Sequence, residues 1–238
     1  MSVPSINPVL PYMPTDAEAI VSKLSMIGPI NFTIFEQVGA GTALANSTTA
    51  TSIFNGAPAA SRGSRILPAN FLQDRANYIN TIQQWQGTGI EAPPAALASA
   101  IPGGLVRIHA RGTYANPATA TSLTVTVGLT LNGTYTAYAT SGAVTPTATS
   151  ATSNWSLDAD MLVVVLGAAG TASIWAGGNM LVYTGANATL AGIPLANTVT
   201  TATLDTTQQL TIDAQFTWGA ASANDTITTQ AAWIEVVN

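Results

Sequence analysis

From residue 104 onward, apolar and polar side chains alternate with a period of two, the pattern of strands that bury one face. Val106, Ile108 and Ala110 fall on one side of such a strand, with Arg107, His109 and Arg111 on the other. Leu123, Val125, Val127, Leu129 and Leu131 then alternate with Thr124, Thr126, Gly128 and Thr130. Asn132-Gly133 follows directly. A type I′ turn needs positive φ at both central residues, so this dipeptide predicts a hairpin into Thr134–Tyr138. Trp155, Leu157, Ala159, Met161, Val163 and Val165 are in phase over 152–166, and 173–183 is predicted to return against them. Leu210, Ile212, Ala214, Phe216 and Trp218 form another set, and 227–237 a last strand. About eight strands without a helix among them predict an all-β, jelly-roll-like β-sandwich.

The first hundred residues read differently. Pro4, Pro8, Pro11 and Pro14, with Tyr12 among them, fix φ and remove donors, so residues 1–14 are predicted to be an extended arm. Thr15 followed by Glu18 is a capping-box pattern, and Ala17, Ile20, Val21, Leu24 and Ile27 recur at helical spacing up to Gly28, predicting a short helix over 16–27. Residues 30–38 predict a strand with Ile30, Phe32 and Ile34 on one side and Asn31, Thr33 and Phe35 on the other. The Thr-, Ser- and Ala-rich stretch 42–52 fits neither period. Asn70 with Gln73, then the stripe Leu72, Ala76, Ile79, Ile82 and Trp85, predicts a second helix over 71–86. A linker with Pro93, Pro94 and Pro102 follows. The expected organisation is therefore an arm and short helix over 1–29, then a body over 30–238 carrying a helical insert at about 73–103.

Composition narrows the function. In 238 residues only 7% are charged, the net charge is -5 and the sequence pI is about 4.5. Nucleic-acid binding draws its affinity from phosphate neutralisation by Lys and Arg, so no nucleic-acid partner is expected. The mean hydropathy of +0.31 comes from missing charge, because no apolar run approaches the ~20 residues that span a bilayer, and no membrane partner is expected. There is no cysteine, hence no disulfide and no thiolate chemistry. Met1–Pro8 lacks the basic start and apolar core of a secretory signal, so synthesis in a cytoplasm is expected.

The charges are also uneven. Residues 1–111 hold all six basic residues and five acids, whereas beyond Arg111 there is no Lys or Arg and only Asp158, Asp160, Asp205, Asp213, Asp225 and Glu235. Threonine supplies β-branching and a wet hydroxyl face without charge. Strand edges without lysine must be covered some other way, and a closed symmetric oligomer does so. Low charge also suits self-packing, since like charges facing each other at 4 Å cost ~1 kcal/mol even in water.

Candidate chemistry is sparse. His109 is the only histidine, between Arg107 and Arg111 on one strand face, and these three are candidate oligomer-interface residues rather than parts of a catalytic triad. Asp158 and Asp160 share a strand face, where two carboxylates suit a cation or an acid–base pair, but no ligand loop accompanies them and a solvated face is the expectation. Tyr135, Tyr138, Trp175 and Tyr183 are candidates for a sugar platform, with packing roles expected instead. The glycines at 39–41 and 167–170 lack the lysine of a nucleotide loop. No enzyme, cofactor or metal is expected.

The segments Ile66–Leu72, Gly104–Tyr114, Ser122–Leu131, Leu204–Gly219 and Ala223–Val237 resemble the jelly-roll structural proteins of tailed-phage virions. The resemblance covers residues 64–72 and 104–237, and residues 73–103 interrupt its first two motifs. It implies a homotrimer serving as a capsid decoration (cement) protein or as a head or tail fibre module. No heptad, collagen or short β-repeat period marks a fibre stalk. The expectation is a cement trimer on the outer surface of the capsid, bound to the major capsid shell protein through the arm residues Pro4, Pro8, Pro11, Tyr12 and Pro14. The alternative is a fibre module for host-receptor or glycan binding.

Overall fold

The computed structural model describes residues 32–45, 47–72, 104–116, 121–146, 149–184, 189–197 and 204–237. The expected arm over 1–14, the expected helix over 16–27, residues 73–86 of the expected second helix and the linker after it lie outside the described residues.

The regular structure of the described chain is strand: β1 (Phe32–Val38), β2 (Leu44–Ala45), β3 (Thr51–Ser52), β4 (Arg62–Gly63), β5 (Ile66–Leu67), β6 (Gly104–Asn116), β7 (Leu123–Leu131), β8 (Thr134–Val144), β9 (Thr149–Val165), β10 (Ser173–Thr184), β11 (Thr189–Asn197), β12 (Leu210–Trp218) and β13 (Thr226–Val237). All thirteen belong to one antiparallel sheet in the order β3-β12-β7-β8-β11-β10-β9-β6-β13-β1-β4, with β2 pairing β13 and β5 pairing β12.

The sheet curls. Its longest ladders join β13, β6, β9 and β10, whereas β11 passes to β8 through only two pairs, Ala196–Thr140 and Asn197–Ala139. Beyond that narrow junction the inward faces meet: Trp155 of β9 lies edge-on to Phe216 of β12 with ring centroids 5.1 Å apart. One hydrophobic core results. The alternating sets account for it, with Val106, Ile108 and Ala110, then Trp155 to Val163, then Leu210 to Trp218 all buried. Each large side chain so removed from water contributes about 1.5–3 kcal/mol before conformational entropy is counted.

Local chemistry explains the turns. Asn132 and Gly133 both take positive φ, 50° and 80°, and Leu131 pairs Thr134 across the two-residue loop, as the hairpin signal requires. The first strand departs from its expected facing. Phe35 and Gln37 are buried while Thr33 and Glu36 are exposed, because an irregularity between Thr33 and Phe35 in the pairing with β13 flips the alternation. Thirteen strands replace the expected eight or so. The additions are the two-residue strands β2 to β5 and also β11, where Gly192 and Pro194 obscure the strand pattern. Pro194 pairs Asn179 on the β10 side, and β11 meets β8 only beyond it at Ala196 and Asn197, so its missing N–H falls where the other edge has no ladder.

Candidate functional site

The outward face of the strands β1, β13, β6, β9, β10 carries cross-strand rows that the register fixes. In one row Glu36, Trp233, His109, Asp158 and Asn179 stand side by side. Two residues along, Glu235, Arg107, Asp160 and Gly177 form the next. On one flank of this pair of rows are Ala231, Arg111, Ser156 and Leu181, and on the other Val237, Leu105, Leu162 and Trp175. Position along the strand therefore sorts the face: Arg111 on one flank, carboxylates with Arg107 and His109 in the middle rows, and apolar side chains on the other flank.

The paired rows are bonded. Arg107 Nε donates to Asp160 Oδ1 at 3.2 Å, and His109 Nδ1 lies 2.6 Å from Asp158 Oδ1. A carboxylate only accepts, so Nδ1 carries the proton in that bond. The imidazole stacks on Trp233 with centroids 5.0 Å apart at 22°, and the Arg111 guanidinium sits 5.9 Å from the same indole. Trp233 thus joins the two side chains that flank it, one by ring stacking and one by cation–π attraction.

The structure brings the interface candidates Arg107, His109 and Arg111 onto one face and supplies each with a partner. The two aspartates lie on a solvated face, at 55% and 45% side-chain exposure. Asp158 and Asp160 do share a face, but each is bonded to a different β6 side chain instead of converging on a common cation. Among the described residues, no three His, Cys, Asp or Glu side chains gather as metal ligands.

Of the four aromatic candidates, two take the packing roles expected of them. Tyr138 is buried, and Tyr135 turns its hydroxyl to Thr126 Oγ1 at 3.1 Å, on β8 rather than β10. Burial raises the Tyr135 hydroxyl far above the ordinary tyrosine range; the Thr126 hydrogen bond opposes this and the Asp213 carboxylate adds to it. Burial likewise raises Tyr114. Trp175 alone of the four is largely open, at 49% exposure, with its ring edge over Gly177, where a Cβ would come within 3.1 Å of it.

A second polar centre lies on β12. Asp213 is 6% exposed and its Oδ1 accepts from Ser52 Oγ at 2.5 Å, Arg65 Nη1 at 3.0 Å and the Ala214 N–H at 3.1 Å, while Oδ2 accepts from Gln215 Nε2 at 3.2 Å. Arg65 also lies 4.8 Å over the Phe54 ring and donates to the Ile212 carbonyl. These bonds fasten the short strands β3 and β5 to β12. An open groove beside them, of about 290 Å³, is lined by Phe35, Gly63, Ser64, Arg65, Ile66 and Thr211.

Sequence reasoning missed Trp233 and the partnership of β6 with β9. No local signal marks either, because both follow from which strands become neighbours. Compared with models of protein families, with curated proteins and with solved structures, the chain matches none.

Proposed function

We propose that this chain is a tailed-phage virion structural protein, a trimeric decoration (cement) protein on the outer surface of the capsid that ties neighbouring shell subunits together. The observation that carries this reading is the outward face of the sheet. Half-exposed Trp175, at 49%, lies in the row next to the one that holds the Arg107–Asp160 ion pair, and the His109–Asp158 hydrogen bond and the aromatic–cation stack on Trp233 follow. Aromatic and Arg side chains are what protein interfaces favour. The rest of the body offers hydroxyls, which suits repeated packing against identical neighbours.

The fold we infer in finer terms is a jelly-roll sandwich, with β11-β10-β9-β6-β13-β1-β4 as one layer and β8-β7-β12-β3 as the other. Its support is the Trp155–Phe216 contact and the two-pair junction at β11–β8. In this reading Arg107, His109 and Arg111 face a second copy, and the proline-bearing arm lies along the shell. A ligand that binds only the assembled lattice raises the stability of that lattice by mass action.

The test is light scattering on the eluted protein together with binding to heads that lack it. A trimer that sediments with heads and raises their disruption temperature is expected. A monomer at micromolar concentration, or a trimer indifferent to heads, would overturn the reading. One observation favours the fibre alternative: Trp175 lies open at 49% exposure with its ring edge against Gly177, one row from Asp160, an accessible aromatic surface. Saccharide-array binding lost in Trp175→Ala, with no affinity for heads, would select that function.

A further inference from the structure

Asp225 and Asn116 are both wholly buried, at 0% exposure. Thr226–Ala115 is the last pair of the β13–β6 ladder, so Asp225 and Asn116 are the next residues outward at the ends of the two neighbouring strands. Neither carboxylate oxygen of Asp225 has a hydrogen-bond partner, and neither has Asn116 Oδ1. The Asn116 amide nitrogen is already committed, donating to the Pro146 carbonyl at 3.1 Å, which fixes the amide and leaves its oxygen as the free end.

Buried polar groups are almost always satisfied, and a buried carboxylate without a counter-charge is among the costliest arrangements a core can hold. Arginine does not answer it here. Among the described residues Arg65 and Arg107 are engaged with Asp213 and Asp160, Arg111 lies over Trp233 and Arg62 is exposed, and neither Asp225 oxygen has a hydrogen-bond partner. Among the described residues the buried side-chain donors left without a partner are Trp218 Nε1 and the Ser61 hydroxyl, one proton each, which together cannot satisfy three oxygens. Three oxygens, one of them formally charged, with no matching donors, are the chemistry of a hard cation.

We propose that Asp225 and Asn116 bind a calcium ion at this end of the sheet, Asp225 through both oxygens and Asn116 through Oδ1, with the remaining positions filled by backbone carbonyls and water. A single carboxylate places the affinity at the weak end of calcium sites, with Kd about 10⁻⁴–10⁻³ M. The ion would close the β13–β6 ladder where its backbone pairing stops.

The experiment uses the full chain, stripped with chelator and then melted with and without 10 mM calcium chloride, alongside calorimetric titration of calcium. At that concentration the midpoint is expected to rise by about 3–10 °C in the unmodified protein. Asp225→Asn should abolish the rise. Should Asp225→Asn not fold, Asn116→Ala supplies the reading, with calcium binding weakened tenfold or more. A melting temperature indifferent to calcium, or binding unchanged in either variant, would overturn the proposal.

Discussion

His109 and Asp158 are directly opposed across the β6–β9 ladder, and their side chains close to 2.6 Å on the outward face while Trp233 stacks on the other side of the imidazole. Residues directly opposite in an antiparallel pair have Cβ atoms about 4.5–5.5 Å apart, so the bond follows from register alone. Both side chains are reachable by solvent, Asp158 at 55% exposure. An exposed pair of this kind contributes about 0–1 kcal/mol to folding. His109→Ala removes both the exposed pair and the Trp233 stack and should lower the denaturation free energy by about 0.5–2.5 kcal/mol at fixed protein concentration. If the face joins copies, the same variant weakens self-association, read by sedimentation equilibrium.

Trp155 is the central test of the core. It is 1% exposed, lies edge-on to Phe216, and its Nε1 donates to the carbonyls of Thr113 and Thr228 at 3.2 and 3.3 Å. Trp155→Ala is expected to cost about 3–5 kcal/mol, from lost burial and the cavity left behind. Urea denaturation measures it.

Gly112 leaves no room for a side chain. A Cβ there would run into the Thr228 carbonyl and come within 2.8 Å of Trp155 Nε1. Backbone cannot yield as a flexible side chain does, so Gly112→Ala should destabilise by about 1–3 kcal/mol or more. Gly133→Ala is the contrasting case: its φ is +80° and no atom lies within 4 Å of the added Cβ. Only the left-handed backbone conformation opposes it, at about 1–2 kcal/mol. Thermal melts of the two variants side by side check the order.

The alkaline limit should lie with the buried tyrosines. Because burial raises Tyr135 above its unfolded value near 10, the folded state holds the phenolic proton more tightly than the unfolded chain. The contribution is full below about pH 10 and lost as pH climbs beyond it. Tyr135→Phe should flatten the fall in stability above pH 10, with the raised Tyr114 leaving a residual slope. At neutral pH the variant loses the Thr126 hydrogen bond, about 0.5–1.5 kcal/mol. Guanidinium titrations from pH 8 to 12 separate the two effects.

Arg65→Met removes the charge that faces Asp213, whose side chain is 9% exposed. Ser52, Ala214 and Gln215 still donate to the carboxylate, so the expected cost is about 1.5–3 kcal/mol rather than that of a stranded charge. Detachment of β5 from β12, seen as faster amide exchange at Ile212, which donates to the Arg65 carbonyl at 2.9 Å, would accompany it.

Much of the body was legible in the residues because strand side chains alternate with period two: the inward sets of β6, β7, β9 and β12 and the Asn132–Gly133 turn all follow from local pattern and φ preference. Residues that a pattern places outward, such as Arg107 and His109, were identified as a face but not as a bonded site. Which strand lies beside which is a matter of long-range pairing, and that pairing alone set Asp158 against His109, Asp160 against Arg107 and Trp233 between His109 and Arg111. The reversed facing of β1 and the strand containing Pro194 belong to the same class. An irregularity or an unpaired edge exists only relative to a neighbouring strand, so the chain by itself carries no mark of it. What the sequence determined was the facing of each regular strand; what the tertiary structure decided was its neighbours, because alternation is a property of one strand and register is a property of two.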